Sequence, residues 1–585
     1  MTDPHPTGAT DDGTGAARRA DRFGLALAAG LALPFVAALG LAASRRWEPV
    51  SDWAAIEVSV TDVGSAHGPL VGAYSRFGWN HPGPALAWVL ALPDRLAGGP
   101  NGLLLGVAAL DAAAVFGAWW IARRRGGTAM AASTGLVLAL LVHALGVDLL
   151  VNPWNPWAAL LPSVLLVFLA WDVARGGRWS IPVGLAVASF TVQCHLGYLP
   201  LAAALVVWSA TVATWRVARR RRSDVDEADP TTPGPRRARP LAVGLVSAGV
   251  VVVLWALPIA QQLTAERGNL AAIVQGYGDD LTTATTADGT PGALEAGGRV
   301  RADGVGLLAR ATGRPAWLGF GEPVVVPGAV EPATPMWLLL PLGLLAGVGV
   351  VARRTRWADG GVGAVTAAVG LVATGVGLAA IVGPAYPWLV RPAWAPATLL
   401  VALAGAAAAR AVATWRPAVA TRSARPAAVV VAVVVIGLGA WTAVGAVDAP
   451  LPREADGPMM ARLRDGLEPW LDAAAPGRVA VHGDGTGLPT WYAGVAAAVD
   501  RHGTEVELPG WWGRVFVPGH EIGTPAPAVE LVVAEGDDAI ARWSARSFAV
   551  PVARAWPGPD EVAAGTRPVA VFAVPTGMVS RGTTG

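Results

Sequence analysis

Apolar residues along this chain come in long blocks separated by short polar gaps. Blocks long enough to cross a bilayer lie at 22–43, 101–121, 128–147, 157–174, 179–194, 197–215, 240–260, 335–352, 361–382, 393–413 and 427–447. A span needs roughly 20 predominantly apolar residues, so the pattern predicts about eleven transmembrane helices, the shortest of them marginal. The first block carries no cleavage pattern of a secretory leader and reads as an uncleaved helix. Residues 1–21 are polar and Gly/Thr-rich, the composition of a disordered N-terminus.

The gaps between blocks are of two kinds. One kind carries arginine: Arg18 and Arg19 before the first block, Arg123, Arg124 and Arg125 after the second, and Arg175 and Arg178 after the fourth. Arg216, the run at 219–222, Arg236, Arg237 and Arg239 follow the sixth. Arg353, Arg354 and Arg356 follow the eighth, and Arg410, Arg416, Arg422 and Arg425 the tenth. With a cytoplasmic N-terminus all of these clusters fall inside, as the positive-inside rule requires. The same parity places the other gaps outside: a first loop at 44–100, the turn VDLLVNPWNPW, a long loop at 261–334 and a tail at 448–585.

The tail changes period. ADGPMMARLRDGLEPWLDAA has helical spacing, whereas GRVAVHG, VELVVAEG and RPVAVFAVP are short apolar runs of strand length. The fold class expected is therefore a polytopic all-α transmembrane bundle, residues 22–447, with a small extracytoplasmic α/β domain at 448–585. The tail holds no dinucleotide or phosphate-loop fingerprint, and the chain shows no internal repeat.

Composition supports the membrane reading. The 585 residues are 53% hydrophobic and only 15% charged, with a mean hydropathy of +0.47, where a soluble protein carries about 25% charged residues. The net charge of +2 and a pI near 9.0 do not indicate nucleic acid, because the basic residues sit in topogenic clusters. Every basic residue is arginine. With the Ala/Gly/Val/Pro richness, this is the usage of a GC-rich bacterial genome, and the membrane expected is the bacterial plasma membrane. The single cysteine, Cys194, excludes an internal disulfide and any Cys-based zinc site, and reads as a packing residue.

Candidate chemistry concentrates in the first loop, SDWAAIEVSVTDVGSAHGPLVGAYSRFGWNHPGP at 51–84. Asp52 and Glu57 stand five residues apart on a short helix expected at the membrane surface, and His67, Arg76, Asn80 and His81 follow. A carboxylate there suits deprotonation of an acceptor hydroxyl, and Arg or His suits an anionic leaving group. Other polar residues are assigned to the same side: Asp148 before NPWNPW, Gln193 and His195 in SFTVQCHLGY, Gln262, Arg267 and Asn269 in LPIAQQLTAERGNL, and Arg391 in YPWLVRPAW. The pair Asp279 and Asp280 in GYGDD, with Glu57, offers oxygen ligands for a divalent cation, Mg or Mn. In the tail, His482, Asp484, Trp491, Trp511, Trp512 and His520 lie around the strands, and exposed tryptophans there would suit stacking on sugar rings. Most of the 26 tryptophans read as interfacial anchors.

A first helix, then an outer aspartate with an acidic partner, then G-x-Y-x-R and HPGP leading into an interfacial helix, resembles the GT-C superfamily of membrane glycosyltransferases. Its members include protein mannosyltransferases, aminoarabinose transferases of lipid A and mycobacterial arabinofuranosyltransferases. The resemblance covers the first loop and the helix plan, and not the tail. It implies a polyprenyl-phosphate-linked sugar donor, a cell-envelope glycan, lipid or protein acceptor, and a catalytic base early in the first outer loop. By position it makes Asp52 the base, Glu57 an accessory carboxylate or metal ligand, and the HPGP at 81–84 the family's second segment. Two departures stand out: the two acids are not adjacent, leaving either as the base, and Gly83 replaces a proline. Arg76, His81, His195, Gln262, Asn269 and Arg391 are the candidate donor-phosphate or substrate residues. Two alternative readings remain. A transporter or flippase would use acids within spans such as Asp111 and Asp172, and a non-catalytic scaffold would merely present the tail.

Overall fold

The computed structural model describes residues 11–75, 77–226, 238–266, 268–278, 301–319, 328–485, 490–510, 512–524 and 526–579. The first half contains α1 (Asp11–Ser44), α2 (Ser51–Thr61), α3 (Ala85–Ala97), α4 (Asn101–Leu150), α5 (Asn155–Ala158), α6 (Leu160–Ala174), α7 (Ser180–Cys194) and α8 (Leu199–Asp226). Then follow α9 (Ala238–Thr264), α10 (Asn269–Gly278), α11 (Gly304–Gly313), α12 (Leu339–Arg354), α13 (Ala358–Ala379), α14 (Pro387–Val390), α15 (Trp394–Trp415) and α16 (Pro417–Val444). The last part alternates: α17 (Gly457–Ala474), β1 (Arg478–Asp484), α18 (Thr490–Arg501), β2 (Glu505–Glu507), β3 (Val529–Glu535), α19 (Asp537–Ser544), β4 (Val550–Ala555), α20 (Pro559–Ala563) and β5 (Val569–Pro575).

Among the described residues, nine helices are long and apolar enough to cross a membrane, against the eleven expected. The difference has two sources. The blocks at 101–121 and 128–147 form one continuous element, α4, which doubles back at Gly127 (φ 62°, ψ −151°). Trp119 Nε1 donates to Ala131 O at 3.1 Å, although a straight helix would hold those residues about 18 Å apart. The block at 179–194 forms α7, whose 15 residues rise only about 22 Å, short of a hydrocarbon core of about 30 Å. The protein is a multi-pass membrane protein.

In the bundle, α4 packs on α1, α6, α15 and α16, while α13 packs on α8, α12 and α15. The Ala/Gly-rich faces of α13 and α15 permit the close backbone approach that membrane helices rely on. The end of the bundle farthest from the C-terminal domain is tied by ion pairs. Arg123 meets Asp21 at 3.1 Å, Arg124 and Arg125 both grip Asp172, and Arg175 reaches Asp359 at 2.6 Å. Asp172 is thus a buried structural counter-ion.

The C-terminal domain is a five-stranded sheet in the order β2-β1-β3-β5-β4, with β2, β1 and β3 parallel and β5 antiparallel to both of its neighbours. The central strands β3 and β5 are buried on both faces, which is why they read as continuous apolar runs. α2 joins the two bodies. Its Ile56 and Val60 belong to the bundle core, whereas Ala54, Ala55 and Val58 pack with Met460, Val495 and Val499 in the core of the C-terminal domain. Arg45 adds bonds to Ala449 O (2.9 Å) and Val447 O (2.5 Å), and Trp47 Nε1 donates to Pro452 O at 2.8 Å.

Candidate active site

The stretch after α1 folds as the expected short helix, with Asp52 in its first turn. Five residues of helix rotate a side chain by about 140°, so Asp52 and Glu57 leave α2 in different directions. Asp52 turns toward the bundle. Tyr74 OH donates to its Oδ1 at 2.9 Å and Trp154 Nε1 to its Oδ2 at 2.9 Å. Burial pushes the Asp52 carboxyl above its ordinary range; the bonds from Tyr74, Trp154 and Ser51 and the charge of Arg453 oppose this without cancelling it. A basic carboxylate held by two donors has the properties of a general base.

Glu57 is elsewhere. It is buried against α18, with Oε1 3.2 Å from Arg501 Nε, and it is not among the residues lining the cavity described below. Burial pushes its carboxyl up to about 8, Arg501 pulling it down and Asp94, Asp500 and Glu48 pushing it further up. Its place is the seam between the two bodies.

After α2 the chain forms a small hairpin. Gly72 N donates to His81 O (2.9 Å), His81 N to Ala73 O (2.8 Å) and Ser75 N to Trp79 O (2.8 Å), with Tyr74 bridged to Asn80. This hairpin presents Tyr74 to Asp52. Asn269 fixes the other arm: its Oδ1 accepts from Asn80 N and its Nδ2 donates to Asn80 O, both at 2.9 Å. The departure at Gly83 has a steric cause. A Cβ there would lie 2.3 Å from Gln193 Oε1 and 2.7 Å from Pro258 Cγ, so HPGP leaves room for the Gln193 amide, which donates to Leu254 O at 2.8 Å.

These elements surround a cavity of about 850 Å³. Asp52, Tyr74, His81, Trp154, Gln193 and His195 are among its polar lining residues, Tyr386 and Trp388 form an aromatic wall, α13 a largely apolar one, and Phe516 of the C-terminal domain a further face. Asp52 is the one carboxylate among the described lining residues. The Trp388 ring stacks on Tyr386 at 4.7 Å and meets Trp154 edge-on at 4.9 Å. His81 and His195 sit with ring centroids 4.5 Å apart. Burial first, then the His195 charge, hold His81 well below the usual imidazole range; its Nδ1 accepts from Leu196 N at 3.2 Å, which leaves Nε2 as the donor.

The structure therefore brings Asp52, His81 and His195 into one cavity, with Asn269 bracing it from behind. Arg391 is buried just behind the wall formed by Leu389, Pro392 and Ala393, its guanidinium 4.2 Å from the Trp394 ring and 5.5 Å from the Trp157 ring, and Nη1 has no hydrogen-bond partner among the described residues. Gln262 is spent on the backbone, its Oε1 accepting from Ala271 N at 3.1 Å. Arg76, Arg267, Asp279, Asp280 and Trp511 lie outside the described residues. Among the described residues, no group of three or more His, Cys, Asp or Glu is arranged to hold a metal ion. In the tail, Trp491 is core, Asp484 is bound by Arg542 and Trp543, and His520 pairs with Asp62 at 2.6 Å. Sequence reading missed Tyr74, Trp154, Tyr386, Trp388 and Phe516 as site residues. Tyr74, Trp154, Tyr386 and Trp388 all lie within stretches singled out for other residues, whereas nothing in the sequence pointed to Phe516.

The structure is similar along almost its whole length to the crystal structure of ArnT from Cupriavidus metallidurans bound to undecaprenyl phosphate. The TM-score is 0.53 at 16% identity, covering 94% of this chain and 97% of that one. The apo state of the same protein matches with a TM-score of 0.51 at 15% identity, over 93% and 97% of the two chains. The fold is ArnT-like. It includes the C-terminal domain, which the resemblance in the first loop did not reach. No family model matches the sequence, and no curated protein matches it.

Proposed function

We propose that the protein is a membrane glycosyltransferase that moves a sugar from a polyprenyl-phosphate donor to an acceptor hydroxyl of the cell envelope, on a glycan, lipid or protein. The observation that carries this reading is the cavity with one described carboxylate, Asp52, gripped by Tyr74 and Trp154. The ArnT structure with undecaprenyl phosphate bound supports a lipid of that class here. The arginine-rich end of the bundle lies away from the C-terminal domain, which supports a cytoplasmic N-terminus and an extracytoplasmic cavity.

Asp52 takes the proton of the acceptor hydroxyl as its oxygen attacks the anomeric carbon. The bond from that carbon to the phosphate oxygen breaks, polyprenyl phosphate leaves, and the single displacement inverts the centre. Negative charge grows on the departing phosphate; the Nε2–H of His81 and the Arg391 cation favour that side of the cavity. Glu57 takes no part in this step.

The test uses the full chain in lipid nanodiscs with a panel of undecaprenyl-phosphate-linked hexoses and pentoses, following release of undecaprenyl phosphate. Asp52→Asn abolishes turnover and keeps lipid binding, while Glu57→Gln retains it. Full turnover in Asp52→Asn removes the assignment.

A further inference from the structure

Phe516 belongs to a single π-helical turn, Trp512–Phe516, a rare geometry that recurs at functional sites. The turn sits in the C-terminal domain, yet it reaches the catalytic cavity and lines it through the Phe516 ring. Phe516 is buried and packs on the ring of Tyr74 with centroids 4.8 Å apart. Tyr74 is the residue whose hydroxyl holds Asp52 Oδ1. The neighbouring Val515 O accepts from Asn80 Nδ2 at 2.6 Å, and Asn80 is the bridge partner of Tyr74 across the hairpin. One turn of the C-terminal domain therefore touches both arms of the hairpin that presents Tyr74.

The turn is itself braced. Trp512 packs on Phe516 at 5.2 Å and on Tyr492 of α18 at 5.1 Å, and Val517 N donates to Trp512 O at 2.8 Å. Four residues on, His520 is locked to Asp62, just past the end of α2. α18 packs directly on α2, so the helix that carries Asp52 and the turn that carries Phe516 are fastened to the same body.

We propose that Phe516 is a positioning residue for the transfer reaction: it holds the Tyr74 ring so that the phenol donates to Asp52, making the C-terminal domain a working part of the catalytic site. This rests on Asp52 being the base. A phenol–carboxylate hydrogen bond works only within a narrow range of distance and angle. Tyr74 sits on a small hairpin, and a ring packed against its own, tilted by 51°, removes the swing that would break the bond. The domain thereby couples its own seating on the bundle to the basicity of the carboxylate.

The test compares wild type, Phe516→Ala, Phe516→Leu, Phe516→Tyr and Tyr74→Phe in full-length protein in nanodiscs. The first readout needs no turnover: infrared titration of the Asp52 carboxyl, isolated by subtracting Asp52→Asn in protein carrying ¹³C-aspartate. Phe516→Ala raises the midpoint by about one pH unit, as Tyr74→Phe does, because a donor to the charged form is lost. Phe516→Tyr restores the wild-type midpoint, and Phe516→Leu stands in should the alanine variant fail to fold. The second readout is donor turnover. Phe516→Ala lowers kcat by about tenfold or more with undecaprenyl-phosphate affinity unchanged, and the double variant with Tyr74→Phe is no worse than either single one. A wild-type titration midpoint in Phe516→Ala or Phe516→Leu overturns the proposal, as does full additivity of the two substitutions. Undiminished turnover in Asp52→Asn would instead overturn Asp52 as the base, while the titration would still decide whether Phe516 holds the Tyr74–Asp52 bond.

Discussion

Trp154 donates its indole N–H to Asp52 Oδ2 at 2.9 Å, joining two segments 102 residues apart. Asn152 braces the contact: its Oδ1 accepts both from Trp154 N (3.0 Å) and from Trp53 Nε1 (2.9 Å), so the NPWNPW turn is keyed to the start of α2 at both Asp52 and Trp53. Trp154→Phe keeps the ring and removes the donor. A hydrogen bond to a charged group contributes about 1.5–3 kcal/mol, so the acidic limb of the pH–rate profile moves up by about one to two units. An unmoved limb would show that the indole only fills space.

The seam between the bodies makes stability depend on pH through Glu57. Its folded carboxyl titrates near 8 and its reference value is 4.5. Between those values the folded protein holds a proton that the unfolded chain has lost, so stability falls as pH rises through that window. Glu57→Gln keeps the neutral shape and removes the titration. Its Tm matches wild type near the lower end of the window and exceeds it above the upper end. Thermal unfolding across the window measures this, and parallel curves would refute it.

His520 acts in the same direction by a different route. Burial alone would lower its affinity for a proton, but the hydrogen bond and charge of Asp62, with the Val506 carbonyl and the Asp500 charge, together outweigh burial and raise the imidazole above 6.5. A raised folded value means stability that is present below 6.5 and lost as pH rises through the folded value. His520→Gln is accordingly less stable than wild type in mild acid, and the gap narrows in alkali. Protease sensitivity of the C-terminal domain at the two extremes reports the difference, and a gap independent of pH would count against the ion pair.

Gly83 lies where an added methyl meets the Gln193 side chain and Pro258. Gly83→Ala forces one of them to move, a strain of about 1–3 kcal/mol for overpacking a filled site. Combining it with Gln193→Ala returns most of the lost Tm, since the nearest clash is with that side chain. No recovery in the double variant would place the strain on Pro258 or the backbone.

Read in order along the chain, the apolar blocks located the helices of the bundle, and the change of period after 447 located the strands. Both follow from local rules: a bilayer demands satisfied backbone over a set length, and a buried central strand needs an unbroken apolar run. The first loop also announced its chemistry, since polar residues crowded beside membrane helices need a reason to be there. Its two acids were indistinguishable as written. Tertiary structure separated them, because about 140° of helix rotation aims Asp52 at the cavity and Glu57 at Arg501 of a domain more than 400 residues further on. The grip on Asp52 was equally hidden. Tyr74, Trp154 and Phe516 come from a hairpin, an inter-helix turn and a C-terminal π-turn, and only the packing of α2 between bundle and sheet brings them to one carboxylate and its neighbour. Local pattern determines which segments are helix, strand or loop; which side chains share a cavity is decided by long-range burial.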